Sequence, residues 1–190
     1  MIKQVKNITI EAHKALYIDN GGYEEKNGMI KKILFFDLLP FVIGVVFVIL
    51  GNVLKSDSPI VDNILIVCSI FSGLLFSLII VIVDKAKKMK EETDVNLEAK
   101  RNYLKRYLRF SRHLIVKISY AIILSILIIV GCVTLSMNIL PDDWMSFIQE
   151  LKPTVVSLVI YYFSIQFLFF IVDIISDMYD VFIEEIKLKK

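Results

Sequence analysis

Four stretches of this chain, Leu38–Leu54, Asn63–Val83, Ile118–Leu140 and Thr154–Val172, contain no Asp, Glu, Lys or Arg. Each is about 17 to 23 residues long, the length an α-helix needs to cross roughly 30 Å of hydrocarbon. In that solvent every backbone N–H and C=O must find its partner inside the chain, so only helices and closed barrels can cross. Runs this long without polar alternation exclude a barrel. The chain has 190 residues and is 56% hydrophobic, a composition foreign to a water-soluble domain of that length. The expected fold is all-α: a polytopic membrane protein with four transmembrane helices.

The charges set the orientation. Of 22 Lys and Arg residues, six fall in 1–32, eleven in 84–117 and three in 173–190, leaving Lys55 and Lys152 for the two other loops. By the positive-inside rule the three basic segments face the cytoplasm, so both termini are inside. The organisation expected is a cytoplasmic N-terminal segment 1–32, a first span 33–54, a second span 63–83, a cytoplasmic helical connection 84–117, a third span 118–140, an external loop 141–153, a fourth span 154–172 and a cytoplasmic C-terminal helix 173–190. The first 32 residues mix charges with turn residues, so a removable leader is not expected.

Outside the spans the pattern is helical. Ile2, Val5, Ile8, Ala12, Ala15 and Leu16 give residues 2–18 one apolar face, and Asn20-Gly21-Gly22 ends it before a polar linker to Gly28. Met89, Leu97, Leu104 and Leu108 form a stripe in the central connection, with a break expected near Asp94–Asn96. Trp144 and Phe147 among Asp142, Asp143 and Glu150 read as a short interfacial helix with an aromatic anchor. In the tail, Ile171, Ile174, Ile175, Met178, Val181 and Phe182 keep the helical rhythm past the fourth span. Asp173, Asp177, Asp180 and Glu184 line the other side, placed for ion pairing with the basic connection.

Four groups of residues carry the functional reading. Ser69, Gly73 and Ser77 recur every four residues on the second span, a small-residue face for packing within the bundle or between subunits. Lys100, Arg101, Lys105, Arg106, Arg109 and Arg112, interleaved with Tyr103, Tyr107 and Phe110, form a basic cluster. Such a cluster suits anionic lipid headgroups, an acidic cytosolic partner or a topology determinant, and direct nucleic-acid binding is the least supported of its roles. Asp37, Asp84, Lys117 and Asp173 stand at the inner edge of the spans, where pairing, snorkelling or gating are open. Gln166, with Tyr161, Tyr162 and Ser164, is the notable polar group within a span and reads as an interhelical hydrogen bond.

Enzyme chemistry is not expected, and neither is a cofactor or a metal. His13 and His113 are the only histidines, Cys68 and Cys132 the only cysteines, and no metalloprotease helix, thiol pair or phosphate-gripping loop occurs. The uncharged middle of each span also argues against a proton-coupled pump or an ion-coupled transporter.

In its four spans, inside termini, short outer loops and helical cytoplasmic extensions the layout resembles the small membrane subunits of bacterial anti-phage systems, most nearly that of Kiwa-type defence. Its Gly73-Leu74-Leu75-Phe76-Ser77 run ending in Asp84 and its Tyr161–Asp173 span are similar to those of many bacterial four-span proteins. The resemblance implies a multi-pass protein of the bacterial inner membrane that forms a homo-oligomer, a tetramer, and recruits or responds to a cytosolic protein partner. Two functions follow as expectations: an oligomeric scaffold or sensor that docks a soluble effector, or a small pore-forming effector gated from the cytoplasm. A pore would need a polar stripe facing the oligomer axis, either Ser69, Ser72 and Ser77 or Tyr161, Ser164 and Gln166.

Overall fold

The computed structural model describes residues 2–17, 34–55, 57–92, 98–136 and 146–188, and among them it contains helices and no strand. The helices are α1 (Ile2–Tyr17), a π-helical turn (Leu34–Leu38) running into α2 (Leu39–Ile49), α3 (Pro59–Glu92), α4 (Glu98–Ser136) and α5 (Ser146–Leu188). Three segments, Pro59–Glu91, Leu104–Leu135 and Leu151–Tyr179, are long and apolar enough to cross a membrane. The chain divides into two compact units. One comprises residues 1–29, 73–120 and 171–190, the other 30–72 and 121–170.

The first apolar segment differs from the expected span 33–54. It is helical only over Leu34–Ile49, 16 residues, or about 24 Å at the helical rise. Two residues explain its form. Pro40 has no N–H to give the carbonyl one turn behind it, and the backbone before it takes the wider π turn. Gly51 then adopts a left-handed φ of 83° and ends the helix, with the Leu50 and Gly51 amides bonded back to Val46 and Val48.

The loop that follows is pinned to α5. The Leu54 amide donates to Ser157 Oγ at 2.8 Å, Ser157 donates in turn to the Pro153 carbonyl at 2.6 Å, and Tyr161 Oη donates to the Asn52 carbonyl at 3.0 Å. Aromatic contacts extend the same seam, with Phe47 stacked on Tyr161 and Phe35 on Phe169. The expected interfacial helix in 141–153 is absent as a separate element over its described part. Residues from Ser146 onward continue through Pro153 into α5, while Trp144 lies outside the described residues.

α3 docks through a narrow seam. Its buried positions Val61, Cys68, Leu75 and Ile82 stand seven residues apart, while Ile66, Ile70, Leu74, Phe76 and Ile80 are exposed. Such an exposed apolar surface is stable in hydrocarbon and costly in water.

The unit of residues 30–72 and 121–170 packs tightly enough to make a substitution test. A Cβ at Gly131 would lie 3.0 Å from Cγ1 of Ile160, a fully buried side chain, whereas one at Gly44 meets only ordinary contacts of 3.5 to 3.6 Å. Gly131→Leu should therefore cost about 1–3 kcal/mol by overpacking, and Gly44→Ala should be neutral. Thermal unfolding of the purified variants in detergent checks both, and an unchanged Gly131→Leu midpoint contradicts the packing described.

Candidate functional site

Charge is concentrated in the unit of residues 1–29, 73–120 and 171–190, and its centre is Lys117. On α4 this lysine immediately precedes the uncharged run that starts at Ile118. On α5, Asp173 and Asp177 are four residues apart and so share one helix face. Lys117 Nζ lies 2.7 Å from Asp173 Oδ2 and 2.6 Å from Asp177 Oδ2. The lysine side chain is 7% exposed, against 25% and 18% for the two carboxylates. One buried cation thus holds two flanking anions, fixing α4 to α5 where both helices change from apolar to charged. Pairs this dry are costly to break, because the partner left behind is a buried unpaired charge.

The acidic helix face is therefore only partly available to the basic cluster for which the sequence placed it. Asp173 and Asp177 turn to Lys117, and the side chains of Asp180 and Glu184 lie outside the described residues. Of the basic cluster, Lys105, Arg106, Arg109 and Arg112 are exposed, and the side chains of Lys100 and Arg101 lie outside the described residues. Arg112 approaches Glu11 of α1 at 3.8 Å with both side chains half exposed or more, a pair worth little by itself. α1 is held chiefly by burial of Ala12 and Ala15. Lys105, Arg106 and Arg109 make no ion pair with any described residue. They project from the side of α4 away from buried Tyr107, Leu114 and Ile118.

A second polar cluster lies in the other unit. Gln166, 1% exposed on α5, donates from Nε2 to Asp37 Oδ1 at 3.0 Å. Asp37 sits on the π turn, so the wide turn and the buried amide meet across two helices. The Gln166 carbonyl oxygen has no hydrogen-bond partner among the described residues. Nearby, Ser72 and Ser125 share a hydrogen bond of 2.6 Å between α3 and α4.

Among the described residues nothing covers the small-residue face of α3. Ser69, Gly73 and Ser77 are exposed, and a Cβ on Gly73 would meet nothing within 4 Å. The Ser69 and Ser77 hydroxyls donate to the carbonyls of Leu65 and Gly73, so the face presents small side chains with their donors already used. Asp84 is exposed. Among the described residues no group of three or more His, Cys, Asp or Glu is placed to hold a metal ion.

Sequence reasoning singled out Lys117, Asp173, Asp37 and Gln166 one by one but not as pairs. It missed Glu11 as the neighbour of Arg112. The readable signal was a lone lysine at the head of one apolar run and aspartates four apart at the foot of another. Comparison of the chain with family models, with curated proteins and with solved structures finds no match.

Lys117→Met should destabilise the protein by about 3 kcal/mol, since it strands two carboxylates. Asp177→Asn should cost less, because Asp173 still compensates the lysine. Chemical denaturation in detergent measures both, and a Lys117→Met variant as stable as the parent would remove the clamp from the account.

Proposed function

We propose that this chain is a four-span scaffold or sensor of the bacterial inner membrane that docks an acidic cytosolic effector, in the manner of an anti-phage membrane subunit. The observation that carries it is the outward basic face of Lys105, Arg106 and Arg109. Lys117 is occupied inside the protein, whereas these three have no described ion-pair partner and are exposed. A positive face of this kind steers and orients an acidic partner more than it adds raw affinity.

The topology proposed has both termini and the 84–117 connection in the cytoplasm, supported by 20 of the 22 basic residues. The first span is the short one. Its 16 helical residues cross by local thinning of the bilayer and by the apolar loop pinned to α5. The homo-oligomer, a tetramer in this reading, uses the uncovered Ser69, Gly73 and Ser77 face, which lets helix backbones approach closely.

The alternative, an ion-conducting oligomer, keeps Ser69 and Ser77 as lining candidates. Tyr161 and Gln166 suit it less, since the Tyr161 hydroxyl is engaged with the Asn52 carbonyl and the Gln166 amide N–H with Asp37 of the same chain.

Three measurements bear on the proposal. A fluorescent protein fused after Lys190 should fold and fluoresce while an alkaline phosphatase at the same position stays inactive; the reverse result would overturn the topology. Gly73→Leu should shift the purified oligomer toward smaller species in native mass spectrometry, and an unchanged mass would remove α3 from the interface. Charge reversal by Lys105→Glu, Arg106→Glu and Arg109→Glu should reduce co-purification of a cytosolic partner by at least about tenfold, as expected for three contacts of electrostatic origin. Unchanged recovery would sink the docking face.

A further inference from the structure

Within the unit that contains the Lys117 clamp, α3 and α4 leave an open groove of about 350 Å³ between them. Val83 and Ala86 line it from α3, with Ile115 and Val116 opposite on α4. Lys87 and Lys90 of α3 line it too, together with Arg112, Ser111 and Leu108 of α4.

The order of these residues is informative. Along α3 the groove runs from Val83 to Lys90, and along α4 it runs back from Val116 to Leu108. Each wall is therefore about 10–12 Å long at the helical rise. Val83, Ala86, Ile115 and Val116 occupy the end next to the uncharged runs, and the three cations lie toward the other end. Ser111 is 4% exposed, and its Oγ has no hydrogen-bond partner among the described residues. A buried hydroxyl without a partner is unfavourable unless something else supplies one.

The geometry points to a bound anionic phospholipid, its acyl chain laid in this groove, whose walls are apolar and include the methylene stems of Lys87, Lys90 and Arg112. Its phosphodiester lies at the rim beside the Lys87 and Lys90 ammonium groups and the Arg112 guanidinium, the last also near Glu11 at 3.8 Å. The occupant is argued from charge and from the polarity gradient together. A zwitterionic headgroup would bring a fourth cation to a site that already holds three, and a soluble anion would leave the apolar end bare. The site shares Arg112 with the basic cluster but is distinct from the docking face, since Lys87 and Lys90 lie outside that cluster and Lys105, Arg106 and Arg109 do not line the groove. It rests on the topology proposed above, in which this end of α3 and α4 meets the cytoplasmic leaflet.

The test uses the purified full chain, stripped of lipid in detergent and titrated with dioleoylphosphatidylglycerol or with dioleoylphosphatidylcholine, which share their acyl chains. Native mass spectrometry reads the bound lipid. The phosphatidylglycerol adduct is expected to persist and the phosphatidylcholine adduct to be stripped. The combination Lys87→Gln, Lys90→Gln and Arg112→Gln should weaken phosphatidylglycerol binding by about 100-fold, the product of three basic contacts at a lipid surface. The same charge removed by Lys105→Gln, Arg106→Gln and Arg109→Gln should change it little. Ala86→Phe, which fills the groove and leaves every charge in place, should also abolish retention.

Equal retention of the two lipids, an equal loss in both triple variants, or full retention by Ala86→Phe would each overturn the site. The topology is judged separately. Lys90→Cys should react with a membrane-impermeant maleimide only after lysis, against a low background because Cys68 and Cys132 are buried. Reaction in intact spheroplasts would refute the topology, while the lipid measurements still decide the groove.

Discussion

Hydrocarbon offers the backbone no hydrogen bonds, and most of this structure follows from that constraint. Where the helices are regular, the chain meets it by the ordinary ladder. Where they are not, a named side chain closes the gap. Ser157 receives the Leu54 amide and Tyr161 supplies the Asn52 carbonyl with a donor, while the serines of the regular helix α3 satisfy their own hydroxyls on carbonyls one turn back. The wide turn before Pro40 belongs to the same account, because a proline in an apolar helix removes a donor that lipid cannot replace. The polar residues within the apolar helices thus repair backbone geometry first. Chemistry, if they have any, comes second.

The constraint also explains how charge is partitioned. Ions are excluded from the apolar runs, so they collect at the ends, where a long side chain can still reach water or a headgroup. There they sort into two kinds. Lys117 is drawn inward and neutralised by two aspartates, which fixes one helix against another. Lys105, Arg106 and Arg109 of α4 stay outward, exposed and without an ion-pair partner among the described residues. Sorting of this kind separates residues that hold the fold from residues that can meet a partner. A single electrostatic count cannot make that distinction.

The helical class and the three long apolar helices were legible from the runs alone, because length and the absence of charge are properties of the sequence itself. α1 was legible from the spacing of Ile8, Ala12 and Ala15, of which Ala12 and Ala15 are buried. The shortening of the first apolar helix was not. Nothing local distinguishes Gly51 at positive φ from a glycine inside a helix, and the loop after it is held by Ser157 and Tyr161 from more than a hundred residues away. The Lys117 clamp was half legible: the helical step from Asp173 to Asp177 is in the sequence, while the choice of Lys117 over the basic cluster depends on the depth of α4 beside α5. Acidic and basic helices were expected to face each other broadly. A lysine at the right height took the two aspartates first.

The buried seam of α3 has one further consequence. Val61, Cys68, Leu75 and Ile82 repeat every seven residues, whereas a straight helix returns to the same face only after 18 residues in five turns. Exposed positions off that line, such as Ile66, Ile70, Leu74 and Ile80, touch little of the described chain, so substitution among apolar residues there leaves the fold alone. Across evolution α3 should therefore drift with a sevenfold rhythm of fixed and free positions. Any off-seam position that resists drift would betray a surface held by something other than this chain.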